Sequence, residues 1–271
     1  MSTTVPFTLG SLHGMIDLPD EPGERPTVVV CHGFKGFMDW GFFPYLAALL
    51  ADRGFVVVRV NLSGTGMLPG DDLVTAPDAF QANTHGRELA DLLTVLEATG
   101  ETLAPGRVDR TRLGLFGHSR GGGNAVLAAA REPVRALVTW ASVASFDRYT
   151  PEQKDAWRRD GHFPVVNART GQQLALGLGL LEELETRGDK LDILTAARAV
   201  RAPWLIVHGE DDESVPATEG DRLAEASSGE LLRIPSANHT FGARHPFVGP
   251  TPQLIQALNA TQRWFRRHLV G

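Results

Sequence analysis

The segment LGLFGHSRGGG at residues 113–123 decides how the rest of the sequence is interpreted. Its apolar first part predicts a buried strand, and its final glycines lead into an alanine-rich stretch that predicts a helix. Between them, the residues GHSRG match the pattern G-x-S-x-G, which places Ser119 at the tip of a sharp strand-to-helix turn. Glycine is needed two residues to either side, because side chains there would collide across the turn. The alternative interpretation is an ordinary glycine-rich turn with a serine helix cap.

The same alternation of strand and helix extends along most of the chain. Short apolar runs, rich in valine, predict strands at residues 27–31, 55–60, 113–116, 136–140, 204–207 and 231–234. Segments with helical spacing of apolar residues, or rich in alanine, predict helices at residues 43–52, 84–99, 124–131, 217–227 and 252–269. This order is typical of the α/β class, with a mostly parallel, doubly wound sheet covered by helices.

Two segments depart from this alternation. Residues 5–9 and 12–18 flank the turn signal Gly10-Ser11, and they predict an antiparallel hairpin at the edge of the sheet. Residues 147–200 are polar, lack a clear strand and predict a small helical cap inserted into the fold. The alternative for that segment is a long crossover connection. We therefore expect a single domain over residues 1–271, with a cap insertion at about 147–200.

The composition argues against several classes of protein. Of the 271 residues, 42% are hydrophobic and 21% are charged, which is typical of a globular chain. A formal net charge of −6 argues against a nucleic-acid partner. The single cysteine, Cys31, excludes an intramolecular disulfide and a cysteine-based zinc cluster. Because no apolar run approaches the ~20 residues of a membrane span and no signal-peptide pattern is present, we expect a cytoplasmic protein without a membrane partner.

The candidate nucleophile and its supporting amides lie on two predicted loops. Ser119 is the candidate nucleophile, and the helix after it points its N-terminal amides towards developing negative charge. The loop HGFKG at residues 32–36 follows the first parallel strand, so it can aim the Phe34 amide at a carbonyl oxygen. The second expected donor is the amide of Arg120, directly after the serine.

The candidate acid and base follow the last two predicted strands. The spacing G-x-x-D-x-x-V-P selects Asp212 as the carboxylate that orients a histidine, with Asp211 as the alternative. Glu213 is expected to face solvent, and Asp147 is a remoter candidate for the acid. His239, in the loop after the last strand, is the candidate general base. The carboxyl ends of parallel strands meet at one edge of such a sheet, so these residues are expected to converge.

Three other polar residues near these motifs have simpler interpretations. We expect His32 to brace its loop through hydrogen bonds rather than to act as a base. Lys35 is expected to point into solvent. His245 precedes Pro246, which favours a structural role over a catalytic one.

Four motifs together resemble the α/β-hydrolase superfamily: CHGFKG at 31–36, GHSRGG at 117–122, HGEDDESVP at 208–216 and ANHTF at 237–241. The resemblance covers nearly the whole chain. Within the superfamily, the sequence looks most like dienelactone-hydrolase-related proteins and small bacterial carboxylesterases, including the cinnamoyl esterase group. It departs from many esterases at Arg120, where those proteins carry Gln, Met or Ala.

The resemblance implies a serine hydrolase that cleaves carboxylic esters through an acyl-enzyme intermediate. In that chemistry His239 takes the proton of Ser119, and Asp212 holds the imidazole and stabilises its charged form. The amides of Phe34 and Arg120 bind the oxyanion. The implied partner is a small-molecule ester substrate, and neither a metal nor an organic cofactor is expected.

Other functions remain open at this level. A peptidase or amidase, or a thioesterase, would use the same three residues on a different bond. The sequence shows no propeller domain or module for binding a peptide N-terminus, which we count against a peptidase. A non-catalytic binding protein with this fold is a third possibility, although such proteins usually lose one of the three residues.

The aromatic residues of the cap segment allow two interpretations. Phe146, Tyr149, Trp157 and Phe163 fall near the expected entrance of the site. Phe146, Trp157 and Phe163 are candidate substrate-binding residues that would line an acyl or aryl pocket. Equally, these side chains could form a small core of the cap itself.

Overall fold

The structure, a computed structural model, describes residues 2–271. Its strands are β1 (Thr3–Leu9), β2 (Leu12–Leu18), β3 (Arg25–Cys31), β4 (Val56–Asn61), β5 (Val108–His118), β6 (Ala136–Trp140), β7 (His162–Val166), β8 (Gln173–Gly177), β9 (Trp204–Gly209) and β10 (Glu230–Ile234). Its helices are α1 (Phe43–Ala51), α2 (Pro77–Gln81), α3 (His85–Ala98), α4 (Arg120–Ala129), α5 (Pro151–Asp160), α6 (Leu178–Thr186), α7 (Ile193–Ala199), α8 (Thr218–Ala226) and α9 (Pro252–Phe265).

The main sheet has the strand order β1-β2-β4-β3-β5-β6-β9-β10. The pairs β1–β2 and β2–β4 are antiparallel, and every other neighbouring pair is parallel. The predicted α/β class, the mostly parallel sheet and the N-terminal hairpin are confirmed. Since the parallel strands share one direction, the loops after β3, β5, β9 and β10 emerge at the same edge.

Helices cover both faces of this sheet, so its central strands are buried on both sides. In β3, Val28 and Val30 pack into the core on the side of α1 and α9. Val29 and Cys31 of the same strand pack on the other side, against α3 and α4. This explains why the central strands appear in the sequence as continuous apolar runs rather than alternating ones. Among residues 2–271, no helix combines the length and apolar character needed to cross a membrane.

The cap differs from the expected helical insertion. Between β6 and β9 the chain forms α5, α6 and α7, but β7 and β8 also pair as an antiparallel hairpin. In β8, Leu174 and Leu176 face the cap core, together with Trp157 and Leu180, while alternate residues are more exposed. The sequence did not predict this hairpin, because each strand is only 5 residues long and β7 contains Pro164.

The strand-to-helix turn after β5 is tighter than the sequence suggested. Helix α4 begins at Arg120, immediately after Ser119, rather than near residue 124. Ser119 has φ 58° and ψ −123°, and its amide donates a 2.9 Å hydrogen bond to the carbonyl of Trp140 at the end of β6. A Cβ at Gly117 would lie 2.3 Å from the carbonyl oxygen of Gly121. The turn can therefore form only with glycine at that position.

We expect Gly117→Ala to lower the free energy of unfolding by about 3 kcal/mol, because the added methyl overlaps backbone that cannot move aside. The matched control is Gly179→Ala in α6, where an added Cβ meets nothing within 4 Å. The free energy of unfolding of this control should stay within about 1 kcal/mol of that of the unsubstituted protein. Urea unfolding followed by circular dichroism measures both. Equal stability of the two variants would contradict the proposed packing of the turn.

Candidate active site

Ser119, His239 and Asp212 form a hydrogen-bonded array at the carboxyl ends of three parallel strands. The Oγ atom of Ser119 lies 3.0 Å from Nε2 of His239. Nδ1 of the same imidazole lies 2.8 Å from Oδ2 of Asp212. The serine follows β5, the aspartate follows β9 and the histidine follows β10. The structure therefore brings together the three side chains that the sequence motifs selected.

Asp212 is held ionised at the buried end of this array. Its side chain is 0% exposed. The amides of Ser214 and Val215 each donate a 2.9 Å hydrogen bond to Oδ1. Burial opposes ionisation, but hydrogen bonds from His208, His239 and the Val215 amide outweigh it, so the pKa of Asp212 lies well below its usual range. A carboxylate in this state can stabilise a positive charge on His239.

The alternative acids do not occupy this position. Asp211 and Glu213 flank Asp212 in the sequence, but both are exposed. Asp147 forms an ion pair with Lys154 in the cap, at 2.5 Å. The turn after β9 thus directs only Asp212 inward from a run of four consecutive acidic residues, Glu210 to Glu213.

His118 anchors the loop that carries His239, a role that the sequence did not reveal. Its Nε2–H donates a 3.0 Å hydrogen bond to the backbone carbonyl of His239. Burial, reinforced by the nearby charge of His239, lowers the pKa of His118 to about 3. The ring is therefore neutral near pH 7, and it can fix the backbone of His239 without competing for protons.

Two backbone amides near Ser119 are free to bind an anion. Within residues 2–271, the amides of Phe34 and Arg120 donate no hydrogen bond. The loop that carries Phe34 passes close to the serine, since a Cβ at Gly33 would lie 2.8 Å from the Ser119 Cβ. His32 braces this loop, donating from Nδ1 to the Gly33 carbonyl at 2.9 Å and accepting at Nε2 from the Leu62 amide at 3.3 Å.

A cavity of about 550 Å³ opens beside Ser119. Its aromatic lining includes Phe34, Tyr149 and Phe146, and the Phe146 ring stacks on His85 at a centroid distance of 4.1 Å. Phe146 therefore lies where the sequence placed it, in the wall of the pocket. His85 was not identified from the sequence, because a histidine in the first turn of a helix gives no signal of the cavity beyond it.

Trp157 and Phe163 do not line this cavity, contrary to the expectation that they bind substrate. Trp157 is 0% exposed and packs against Tyr149 and Phe163, with ring centroids 5.1 and 5.2 Å away. These rings pack in the core of the cap together with leucines of its hairpin and of α6. Of this group, Tyr149 reaches the cavity.

Lys35 and His245 are each held by a hydrogen bond to a distant segment of the chain. Lys35 is half-buried and lines the cavity, so the expectation that it points into solvent is wrong. The cause is the hairpin, because the Lys35 ammonium donates a 2.9 Å hydrogen bond to the carbonyl of Val166. His245 has a structural contact, since its Nδ1 accepts a 3.1 Å hydrogen bond from the Gly41 amide.

The side chain of Arg120 lies in the cavity wall rather than in solvent. Its guanidinium stacks 3.8 Å from the centre of the Phe34 ring. Nη1 donates a 3.3 Å hydrogen bond to Glu88, a buried residue of α3. Glu88 also accepts hydrogen bonds from Asn83 and Asn124, at 2.7 and 2.9 Å. This network was not foreseen, because Glu88 in the sequence resembles a solvent-facing residue of an amphipathic helix.

The arrangement is suited to nucleophilic chemistry at a carbonyl group. A histidine can remove the serine proton while a buried carboxylate stabilises the imidazolium, and two free amides can bind the resulting oxyanion. Among residues 2–271, no group of three or more His, Cys, Asp or Glu side chains is placed to hold a metal ion.

Known proteins are similar to this chain both in sequence and in fold. It is 26% identical to 2,6-dihydropseudooxynicotine hydrolase of Paenarthrobacter nicotinovorans over 223 residues, covering 81% of this chain and 53% of the relative. It is also 26% identical to the uncharacterized peptidase YuxL of Bacillus subtilis, covering 90% of this chain and 35% of the relative. The chain therefore spans about half or less of the length of these two relatives.

Among solved structures, Est1E from Butyrivibrio proteoclasticus with bound ferulic acid superposes with a TM-score of 0.75 and 19% identity. The match covers 98% of this chain and 100% of that structure, which shows a shared fold. Residues 40–271 match the prolyl oligopeptidase family, Peptidase_S9, and this range includes the serine, the aspartate and the histidine described above. The chain thus belongs to the prolyl oligopeptidase family and has the fold of the α/β-hydrolase superfamily.

Proposed function

We propose that this protein hydrolyses carboxylic esters through an acyl-enzyme intermediate. The observation that carries the proposal is the array of Ser119, His239 and Asp212, with hydrogen bonds of 3.0 and 2.8 Å, beside two unbonded amides. A serine in this setting is activated by its neighbouring base, which in turn is oriented by a third group. The substrate would be a small ester that fits the cavity of about 550 Å³.

The proposed reaction proceeds in two halves. His239 takes the proton of Ser119 as Oγ attacks the ester carbonyl, and the amides of Phe34 and Arg120 stabilise the oxyanion. The imidazolium then protonates the departing alcohol, leaving an acyl group on the serine. In the second half, His239 activates a water molecule that attacks the acyl-enzyme and releases the acid. Asp212 stabilises the imidazolium in both halves.

The lining of the cavity supports an ester substrate over an aminoacyl peptide. A peptidase that binds a free N-terminus needs a carboxylate to pair with the ammonium group. Among residues 2–271, no aspartate or glutamate lines the cavity. Est1E, whose structure was solved with ferulic acid bound, shares the fold along 98% of this chain. These observations favour an ester or an N-blocked acyl compound.

A peptidase is the second candidate, because the matching family is named for prolyl oligopeptidase and the relative YuxL is described as a peptidase. Parallel assays of one acyl group as its 4-nitrophenyl ester and its 4-nitroanilide separate the two functions. An aryl ester is intrinsically more reactive than the matching anilide, so the anilide rate itself is the deciding value. We expect turnover of the ester with no anilide cleavage above the background of the Ser119→Ala variant. Anilide cleavage well above that background would favour the peptidase.

Removal of the nucleophile tests the proposed role of Ser119. We expect Ser119→Ala to lower kcat for a short-chain aryl ester by roughly 10⁴–10⁶-fold, since the covalent step is lost. Ser228→Ala changes an exposed serine and provides the control, with kcat unchanged. Stopped-flow or plate-reader assays of nitrophenol release measure both. Substantial turnover by the Ser119 variant would show that another residue attacks the ester.

The adjacent acids Asp212 and Asp211 offer a matched test of the third residue. Asp212→Asn should lower kcat by about 10⁴-fold, because an amide cannot stabilise the imidazolium and favours the wrong tautomer of His239. Asp211→Asn, one residue away but exposed, should leave kcat within about twofold. Steady-state kinetics on the same ester give both values. The reverse order of effects would make Asp211 the orienting acid.

A further inference from the structure

Positively charged side chains surround the cavity beside Ser119. Lys35, Arg120, Arg148 and Arg169 all belong to its lining, whereas no carboxylate of the described residues does. This sign is opposite to that of the whole chain, which carries a formal net charge of −6. A cleft lined by charges of one sign attracts ligands of the other sign.

Three of these cations bond to neutral partners within the protein. The Lys35 ammonium donates to the Val166 carbonyl at 2.9 Å, and Arg148 Nη2 donates to the Ser214 carbonyl at 2.8 Å. Arg169 donates to the carbonyl of Asp72. A carbonyl oxygen satisfies a donor without cancelling its charge, so this positive charge remains available to a ligand.

Three carboxylates beside the lining residues have cationic or imidazole partners. Glu88 pairs with Arg120, Asp147 pairs with Lys154, and Asp212 hydrogen-bonds His239. None of them pairs with Lys35, Arg148 or Arg169 among residues 2–271. These three cations therefore form no ion pair within the described part of the chain.

Arg120 keeps donors for a ligand even though it contacts Glu88. Only Nη1 reaches Glu88, at 3.3 Å, and the other oxygen contacts of Glu88 go to Asn83 and Asn124. Within residues 2–271, Nε and Nη2 of Arg120 have no acceptor. Stacking on Phe34 at 3.8 Å fixes the plane of the guanidinium, so these donors are held in place before a ligand arrives.

His85 adds an unpartnered polar group to the same wall. It is 1% exposed, it lines the cavity, and neither ring nitrogen has a hydrogen-bond partner among residues 2–271. Burial and the charge of Arg120 lower its pKa well below the usual value, so the ring is neutral. A neutral imidazole offers one N–H donor, and a buried donor without a partner is costly unless a ligand satisfies it.

We propose that the cavity recognises esters that carry a carboxylate, which Arg120, Lys35 and Arg148 bind while Ser119 faces the ester carbonyl. This inference rests on the proposed ester hydrolysis and specifies its substrate class. Charge-assisted hydrogen bonds from guanidinium and ammonium groups to a carboxylate are roughly twice as strong as neutral ones. A monoester of a short dicarboxylic acid has the required chemistry, and the cavity of about 550 Å³ can contain it.

The experiment compares two esters that differ in charge and have nearly the same shape, monoethyl adipate and ethyl adipamate. At low salt we expect kcat/KM for the anionic ester to exceed that for the neutral amide by about tenfold or more. The double variant Lys35→Gln/Arg148→Gln should reduce this ratio to within about threefold of unity. Arg267→Gln, an exposed arginine in the C-terminal turn, removes the same type of charge elsewhere and should preserve the ratio.

A binding measurement separates this inference from the proposed function. Calorimetric titration of the Ser119→Ala protein should show monoethyl adipate binding about tenfold more tightly than ethyl adipamate. If the unsubstituted protein hydrolyses neither these esters nor the short-chain aryl ester, ester hydrolysis fails as the function, yet the titration still decides whether the anion site exists. Equal binding of the two compounds, or a high ratio that persists without Lys35 and Arg148, would overturn the inference.

Discussion

The backbone of Ser119 has φ 58° and ψ −123°, a conformation that L-residues rarely adopt and that costs about 1–3 kcal/mol. The surrounding fold holds it through the bond to Trp140 and through the close passage of Gly117 past Gly121. Without that conformation the hydroxyl would not project from the sheet towards His239. The geometry of the site therefore requires that β5, β6 and α4 pack together, because their contacts hold the backbone of Ser119 in this conformation.

Arg120 connects the proposed chemistry with the proposed specificity. Its backbone amide lies beside Ser119, while its side chain extends into the cavity between Phe34 and Glu88. Two asparagines hold the buried Glu88 of α3 in place. Because Glu88 accepts a hydrogen bond from the Arg120 guanidinium, it restricts the position of that group. One residue would in this way place an oxyanion donor and a carboxylate-binding group in a fixed relation to each other.

The sequence predicted the parts of the structure that depend on local pattern. Valine-rich runs gave the central strands, and motifs after them located Ser119, Asp212 and His239, because parallel strands end at one edge. It could not reveal features created by contacts between distant segments. The inward position of Lys35 depends on the Val166 carbonyl, 131 residues away. Likewise, the packing of Trp157 in the cap core depends on the hairpin of β7 and β8. The sequence pattern does not reveal this hairpin, because its strands are short and one of them contains a proline.

The central claim is that Ser119 is the activated nucleophile of this array, and covalent labelling tests it most directly. The purified protein is treated with a fluorophosphonate, digested and analysed by tandem mass spectrometry. We expect a single stoichiometric adduct on Ser119, formed only when His239 is intact and lost in His239→Ala. An adduct on a different serine, or no adduct on folded protein, would contradict the account.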